Sequence, residues 1–524
     1  MTKLGTVLTT PATPEVLQSS RRVVAGLLAG IVAVSVVLAA VAPLTLGGDD
    51  ALFTLPVLLH GLLLCVAITC MLSMRTGLRV DSFTFFLAWE TLRGCVAPVI
   101  LMYVGAGTRF YYRLGTPSDS RNVLLLGSAF FTVVLVTRVA VAVGAQRRRS
   151  GKRLDAPQPQ RAGEPEAHTA SLVVGRMTAW PLILVGLVGL VLRFPSPSAV
   201  AMFFSGSVEG LQGNGQFSDG PLLLAANFLR PMLVLGLVIL IRSRRGRGLR
   251  WWPLVPVTAV AALLCLASYG LNRGTVAYCL IGLALVYFEK SGLRLRLVPV
   301  LLTVGSLGAF FALVGQLRST IWSARTGLEG TGLDLISVLQ SVLPYAATPA
   351  QLSAALPTVE QSHPFGWHSF AMSLLSPIPG APEASRTESG TALFNNIIYH
   401  SFIGKDQLLP SWFEGWVTFG PIGLIAMGVA IGALLAAADA FRRRARTEVS
   451  TYAATIFALW VPQAGVTAVG VIEQNIIYFV LTPLLLAALA HVWPNRGAQA
   501  AAPLRATAQI ITPTPLPLTR KALR

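Results

Sequence analysis

The chain has 524 residues, a mean hydropathy of +0.66 and only 12% charged residues, which excludes an ordinary soluble protein. Its formal net charge of +19 would suit nucleic-acid binding, but the basic residues stand in short clusters between apolar runs, where they orient membrane proteins. We therefore expect no nucleic-acid partner. The five cysteines all lie within apolar runs, away from any His or acid at metal-ligand spacing, so we expect neither disulfides nor zinc.

Repeated apolar runs of about 20 residues predict an all-α polytopic membrane protein. The first run is too long for a cleavable signal peptide, and a second run follows it at once. We expect about twelve transmembrane helices and one large external loop. In chain order the predicted spans cover about 23–46, 51–74, 82–105, 122–145, 172–194, 221–241, 251–270, a short span ending near 287, 297–315, 416–441, 452–470 and 477–493.

The basic clusters fall on one side of this arrangement, which predicts that both termini are cytoplasmic. A short outer turn at 473–475 is expected between the last two spans, and the chain shows no convincing internal repeat. The resulting layout is a cytoplasmic tail at 1–22, spans one to nine at 23–315 with a cytoplasmic linker at 146–171, the external loop at 316–415, spans ten to twelve at 416–493, and a cytoplasmic tail at 494–524.

The interval from Gln316 to Gly420 is the longest polar stretch between apolar spans, and it contains half of the histidines, namely His363, His368 and His400. Loops this long are usually functional or disordered. The Trp, Phe, Pro and Leu content of this interval argues against disorder. We therefore predict an ordered external loop that forms one wall of an active site.

Four arginines are candidates for binding an anion. Arg273 stands in a tight outer turn, Arg318 follows span nine, Arg386 lies deep in the large loop and Arg230 lies within span six. The planar, always-charged fork of arginine suits a diphosphate, which needs several donors at once. The alternative is that each arginine snorkels or caps a helix end. We expect at least two of them to converge on one anion.

Glu414 stands at the outer mouth of predicted span ten, where it either complements the helix dipole or acts as a general base. His363 is a competing candidate, although a lone histidine is more often a hydrogen-bonding core residue. Asp49 and Asp50 form a pair of acids in a very short turn. The preference of Asp for turns explains them more simply than metal binding does.

Glu90 and Arg93 are three residues apart within predicted span three, so they share a helix face and can pair. A buried charge pair must face protein or water rather than lipid. Structural linkage is the favoured interpretation, and part of a site is the alternative. The chain contains no Walker loop, no HExxH and no GxSxG in a strand–turn–helix setting, so ATP hydrolysis, zinc proteolysis and serine hydrolysis lack support.

Two stretches carry a family resemblance. Residues 373–380 (SLLSPIPG), followed by 413–423 (FEGWVTFGPIG), resemble the oligosaccharide repeat-unit polymerases (O-antigen polymerase, Wzy-type). Members of that family tend to show an LLSLIPR-like run in the large outer loop and a GE-x-Y-x-N-F-G-x-x-G entry to the next helix. Glu414 falls on the Glu of that pattern, and 272–274 (NRG) resembles the family's S/N-R-G turn. Gly380, Trp416 and Thr418 depart from it, where Arg, Tyr and Asn are common.

The resemblance implies a metal-independent membrane glycosyltransferase, without a cofactor, at the outer face of the cytoplasmic membrane. Its donor would be a glycan on a polyprenyl diphosphate, its acceptor a hydroxyl of another lipid-linked repeat unit, and its product a cell-surface polysaccharide. It also implies membrane lipids, and a chain-length regulator or flippase, as partners. In this scheme Glu414 is the base, with His363 as its competitor. Arg273 and Arg318 bind the diphosphate, with Arg230 and Arg386 as weaker candidates. Three tryptophans either stack on sugars or only anchor the chain at the membrane interface, namely Trp367, Trp412 and Trp416.

Three alternatives stay open. A ligase that moves a finished glycan to another acceptor would use the same arginines. A glycosyltransferase using a polyprenyl monophosphate sugar would use Asp49 and Asp50, but such enzymes generally have a long first outer loop, and the turn here is tiny. A transporter or lipid-linked sugar exporter would require broken helices and a polar site at the membrane midplane.

Overall fold

The structure is a computed structural model, and it describes residues 14–46, 53–74, 76, 78–104, 116–153, 167–197, 226, 229–246, 249–266, 281–282, 285, 349–378, 381–399, 409–445 and 447–492. Over these residues the fold is all-helical and contains no strand. The helices are α1 (Pro14–Thr45), α2 (Thr54–Ser73), α3 (Ser82–Thr91), α4 (Ala97–Val104), α5 (Pro117–Arg153), α6 (Ala167–Arg193), α7 (Pro231–Gly246), α8 (Leu254–Leu266), α9 (Pro349–Ser362), α10 (Trp367–Leu375), α11 (Ala384–Thr387), α12 (Gly390–Tyr399), α13 (Ser411–Arg444), α14 (Glu448–Trp460), α15 (Val469–Ile476) and α16 (Thr482–Val492).

Within the described part, six helices are long and apolar enough to cross a membrane. A π-helical turn, Leu92–Val96, joins α3 and α4 into one of these spans, and a second, Ile477–Leu481, joins α15 and α16 into another. These features define a multi-pass helical membrane protein. Predicted span nine and most of span eight lie outside the described residues. The spans run over Glu15–Thr45, Thr54–Ser73, Ser82–Val104, Ser118–Gln146, Ser411–Arg444 and Val469–Leu489.

Three predicted segment boundaries lie within helices. Helix α1 begins at Pro14, so the end of the predicted tail at 1–22 is helical. Helix α5 continues to Arg153 and α6 begins at Ala167, so both ends of the predicted linker at 146–171 are also helical. In each case the polar residues extend an apolar helix beyond its hydrophobic part, because helix propensity does not stop where hydropathy falls.

Two apolar cores hold the helices together. The first unites α1 to α5 with α9, α12 and α13, and includes Phe86, Phe130 and Trp412 among its fully buried side chains. The second unites α6, α7 and α8 with α14 and with the π-helical turn Ile477–Leu481, around Tyr452 and Phe479. Because α14 to α16 contribute to both cores, this segment joins the two groups of helices.

Buried ion pairs connect four helices at one end of the first group. Asp81 caps α3 by accepting from the Thr84 amide at 2.9 Å, and it accepts from Arg21 of α1 at 3.1 Å. Asp439 of α13 accepts from the Ser82 amide at 2.8 Å and from Arg138 of α5 at 2.6 Å. These paired charges fix the relative positions of α1, α3, α5 and α13.

Helix α13 is not a straight rod. Gly420 has φ 64° and ψ −147°, which is a conformation that L side chains avoid, and Pro421 begins the next turn. A Cβ on Gly423 would lie 2.0 Å from the carbonyl oxygen of Gly415, although eight helical residues would separate them by about 12 Å in a straight helix. The residues 411–419, here called the short arm, therefore fold back against 421–444, the long arm.

The described part of the predicted external loop is largely helical, since α9 to α12 and the first half of the short arm fall within it. The predicted outer turn at 473–475 is wrong, because these residues lie inside α15. The interruption comes earlier, where a 3-10 turn over Val461–Gly465 is followed by non-helical residues 466–468. Within residues 473–475, Asn475 donates to the Val471 carbonyl at 2.7 Å, and Gln474 donates to the hydroxyl of Tyr478 in the following π-helical turn at 3.0 Å.

Candidate active site

The short arm is held at its beginning by the interruption between α14 and α15. The Ser411 amide donates to the Thr467 carbonyl at 3.0 Å, and the Ser411 hydroxyl donates to the Ala464 carbonyl at 2.7 Å. The indole of Trp412 donates to the Gly465 carbonyl at 3.2 Å. These bonds satisfy carbonyls that the broken helix leaves without helical partners, and they fix the turn of the short arm that carries Glu414.

Glu414 is buried, with 1% of its surface exposed, and both carboxyl oxygens have hydrogen-bond donors. The Ser373 hydroxyl on α10 donates to Oε1 at 2.6 Å. The Val469 amide, at the beginning of α15, donates to Oε2 at 3.4 Å. The Gly390 amide, at the beginning of α12, donates to the Ser373 hydroxyl oxygen at 2.8 Å, which leaves the hydroxyl proton directed at Glu414.

Four helices therefore meet at this carboxyl group. Two of them, α12 and α15, present their N-terminal ends, and such ends favour negative charge. The close approach requires a glycine, because a Cβ on Gly390 would lie 2.4 Å from Oε1 of Glu414. A Cβ on Gly470 would lie 2.7 Å from the Ser373 carbonyl oxygen, so this side is equally tight.

This geometry corrects the predicted position of Glu414. Glu414 does not precede a helix that starts at 416, because the short arm already begins at Ser411 and the long arm begins after Gly420. The carboxyl group instead lies in a polar pocket between the short arm and the helices of the predicted loop.

The three candidate tryptophans have different surroundings. Trp367 is 76% exposed, and its ring packs edge-on against Phe419 with centroids 4.6 Å apart. Trp416 is partly buried beside the first core. Trp412 is fully buried, stacks on Phe130 at 6.1 Å and lies under the Arg93 guanidinium at 5.3 Å. A sugar could reach Trp412 only if this core opened, whereas Trp367 has a free face.

His363 directly follows the last residue of α9 and has a positive φ of 42° and an exposed side chain. The hydrogen-bond donors to Glu414 come from Ser373 and Val469, so the structure does not join His363 to Glu414. The neighbouring His368 pairs with Glu388 at 2.5 Å on the surface.

The candidate arginines are described only in part. Arg273 and Arg318 lie outside the described residues, and of Arg386 the backbone alone is described, within α11. Arg230 is buried just before α7 and donates to the Leu264 carbonyl at 3.3 Å. It borders the second core rather than the Glu414 pocket.

The predicted pairing of Glu90 with Arg93 is confirmed, since Arg93 donates to Glu90 Oε2 in a fully buried setting. The pair contacts a different residue at the interruption between α14 and α15 from the one that contacts Glu414. A Cβ on Gly465 would lie 2.5 Å from Glu90 Oε1, while Val469, four residues later, donates to Glu414.

Among the described residues, no group of three or more His, Cys, Asp or Glu side chains is placed to hold a metal ion. Asp49 and Asp50 lie outside them. Comparison of the chain with family models, with curated proteins and with solved structures finds no match.

A buried carboxyl group with a hydroxyl donor at 2.6 Å can accept a proton from an oxygen nucleophile placed where that hydroxyl now stands. Sequence reasoning selected Glu414 but missed Ser373 and Gly390 as its partners. Ser373 was visible within the SLLSPIPG stretch, but nothing in the sequence links it to an acid 41 residues later.

Proposed function

We propose that this protein is a membrane glycosyltransferase that polymerises lipid-diphosphate-linked oligosaccharide repeat units into a cell-surface polysaccharide. The observation that carries the proposal is the contact between Ser373 and Glu414, because it joins the two stretches that resemble the repeat-unit polymerases. Residues from both stretches form one buried polar pocket.

In the proposed reaction, an acceptor hydroxyl takes the position of the Ser373 hydroxyl and donates its proton to Glu414. The acceptor oxygen forms a bond to the anomeric carbon of the donor glycan, and the bond from that carbon to the lipid diphosphate breaks. The lipid diphosphate leaves with the electron pair, and its negative charge is stabilised by arginines, for which Arg273 and Arg318 are proposed. No metal or cofactor is required, because the diphosphate is already a good leaving group.

The proposal includes a topology. About twelve spans cross the cytoplasmic membrane. Residues 316–415 lie on its outer side, and residues 146–171 and both termini lie on its cytoplasmic side, as the basic clusters favour. Trp367 is the proposed sugar contact, because its exposed ring lies at the fold-back turn beside the short arm. A chain-length regulator or a flippase is the proposed protein partner.

One observation favours a second candidate, an exporter of lipid-linked sugars. Transporters build their sites from interrupted helices, and here the short arm that carries Glu414 ends at the fold-back at Gly420 and is hydrogen-bonded to the 3-10 turn at Val461–Gly465. A ligase acting on finished chains uses the same chemistry as the polymerase and is the third outcome that an experiment must separate.

The decisive experiment supplies purified protein with lipid-diphosphate-linked repeat units and no nucleotide sugar, ATP or divalent cation. A ladder of longer glycans is expected, since the energy is stored in the donor's diphosphate bond. Glu414→Gln should lower the rate by about a hundredfold or more, because the amide cannot take the proton. Glu388→Gln is the matched control, since Glu388 is an exposed acid that pairs with His368.

Cells that lack the protein separate the three candidates. Loss of a polymerase leaves single repeat units on lipid at the outer face of the membrane. Loss of an exporter leaves them at the inner face, and loss of a ligase leaves long chains on lipid. Transfer of finished chains without any ladder from single units would replace the polymerase assignment with the ligase.

A further inference from the structure

A second polar cluster lies within the first helix group, centred on His60 of α2. Nδ1 of His60 lies 3.0 Å from the Ser128 hydroxyl oxygen of α5. The same hydroxyl donates its proton to the Leu124 carbonyl at 3.0 Å. The Ser128 oxygen is therefore the acceptor, and the ring proton of His60 is on Nδ1.

The other ring nitrogen, Nε2, then carries a lone pair and points at Glu90. Nε2 and Glu90 Oε2 are 3.6 Å apart, with both side chains buried. Neither Nε2 of His60 nor Oε1 of Glu90 has a hydrogen-bond donor among the described residues. Oε2 of Glu90 accepts from Arg93, whereas Oε1 is the oxygen without a donor. Nε2 and Oε2 are thus two acceptor atoms that face each other in a buried setting, which is costly unless a proton lies between them.

Three glycines leave the room for this cluster. A Cβ on Gly94 would lie 2.1 Å from the His60 ring, one on Gly127 would lie 2.0 Å from the Arg93 guanidinium, and one on Gly465 would lie 2.5 Å from Glu90 Oε1. The three glycines come from three different segments of the chain. The His60, Glu90 and Arg93 side chains therefore lie directly against the backbone at these glycines, where any larger residue would collide with them.

We propose that His60 and Glu90 form a binding site for one proton inside the membrane-spanning part of the protein. The proton comes from water and is bound by the Glu90 carboxylate, so that the contact between two acceptors becomes a hydrogen bond that Glu90 donates to Nε2 of His60. The charge of the His60–Glu90–Arg93 cluster rises from zero to plus one. The Trp412 ring, 5.3 Å from the Arg93 guanidinium, stabilises this positive charge.

The groups that face the pair come from several elements. Arg93 lies on the π-helical turn after α3 and donates to Glu90 Oε2, and Cys95 on the same turn is an electrostatic neighbour of both. Ser128 faces the pair from α5, Trp412 faces Arg93 from the short arm, and the interrupted segment contributes Gly465. Arg138 of α5 and Asp439 of α13, two further buried charged residues on these helices, form an ion pair with each other. This inference does not depend on the proposed function.

Infrared difference spectroscopy of the full-length protein in lipid nanodiscs tests the site while the pH is lowered. A protonated-carboxyl band is expected to appear, to shift on labelling with carbon-13 glutamate and to be lost in Glu90→Gln. Glu414→Gln must retain this band. A titration without such a band, or a band that persists in Glu90→Gln, would overturn the proposal.

Variants of His60 test the shared proton. His60→Leu removes the acceptor of the Glu90 proton, so proton binding should weaken about tenfold and the titration should move to lower pH. His60→Gln keeps an acceptor oxygen and should restore most of the affinity. If His60→Leu does not fold, Ser128→Ala removes the group that keeps the ring proton on Nδ1 and should shift the titration in the same direction. A titration unchanged in the folded variants would show that Glu90 binds its proton alone.

Discussion

Replacing Gly390 with alanine tests whether the position of Glu414 is as constrained as the structure indicates. The new Cβ would lie 2.4 Å from Glu414 Oε1, 3.0 Å from its Cδ and 3.2 Å from the Ser373 hydroxyl. Ordinary contacts begin at 3.4 Å, so the carboxyl group must move by about 1 Å. Alanine is otherwise favourable in a helix, and Gly390 does not have a positive φ, so the effect comes from the clash alone.

A displacement of this size should reduce chain growth by about a hundredfold and destabilise the fold by about 1–3 kcal/mol. Glycan ladders from purified protein measure the first quantity, and thermal unfolding in detergent measures the second. Gly366→Ala is the control, because Gly366 precedes the helix that carries Ser373 and nothing lies within 4 Å of its added Cβ. If Gly390→Ala retained the activity and the stability of the parent protein, the tight contact around Glu414 would be wrong.

Three further predictions test other parts of the proposal. Ser373→Ala removes the hydroxyl that an acceptor must displace from Glu414, so chain growth should not fall; a loss of about tenfold that Ser362→Ala, at the exposed end of α9, does not share would show that the Ser373 hydroxyl itself takes part in the reaction. Arg273→Lys and Arg318→Lys should both impair synthesis, because a point charge cannot reproduce the guanidinium fork; normal chain lengths in both would exclude these residues from the site. A cysteine at Ser362 should react with a membrane-impermeant reagent in intact cells and one at Ser150 should not, so labelling at Ser150 would overturn the topology.

The sequence located several spans well because a long apolar run between polar segments has few alternatives in a membrane. Helix α2 covers Thr54–Ser73 where 51–74 was expected, and the third span covers Ser82–Val104 where 82–105 was expected. Asp81 marks the start of that third span as a capping residue, which is a local signal that sequence carries.

The fold-back of α13 could not be read from hydropathy, because the apolar run continues on both sides of the turn. The physical cause is local backbone geometry, namely the positive φ at Gly420 and the contact between Gly415 and Gly423. All three glycines stood in the stretch FEGWVTFGPIG, which was used only as a family pattern. The spacing of glycines around Pro421 was the available signal.

The partners of Glu414 could not be predicted either, since they depend on tertiary contacts between distant segments. Ser373, Gly390 and Val469 come from three helices that meet only in the folded chain. A similar limit applies to Trp412, which was chosen as an aromatic side chain near Glu414. Its two-residue offset from Glu414 on the short arm points it towards Phe130 and the first core instead.

The proposed reaction requires an acceptor hydroxyl to reach Glu414, and the contacts around Glu414 indicate which helix must move to admit it. Glu414 is buried and the Ser373 hydroxyl covers its Oε1, so in the proposed reaction an acceptor hydroxyl displaces the Ser373 hydroxyl before it donates its proton. Ser373 lies on α10, whose first residue, Trp367, is exposed and packs on Phe419 at the fold-back turn. A movement of α10 away from the short arm would therefore open the acid and expose a ring for the incoming sugar together. An exporter would instead need the interrupted segment at 461–468 to move, and that segment is bonded to Ser411 and Trp412 rather than to α10. The two candidate functions thus require motion on different sides of Glu414.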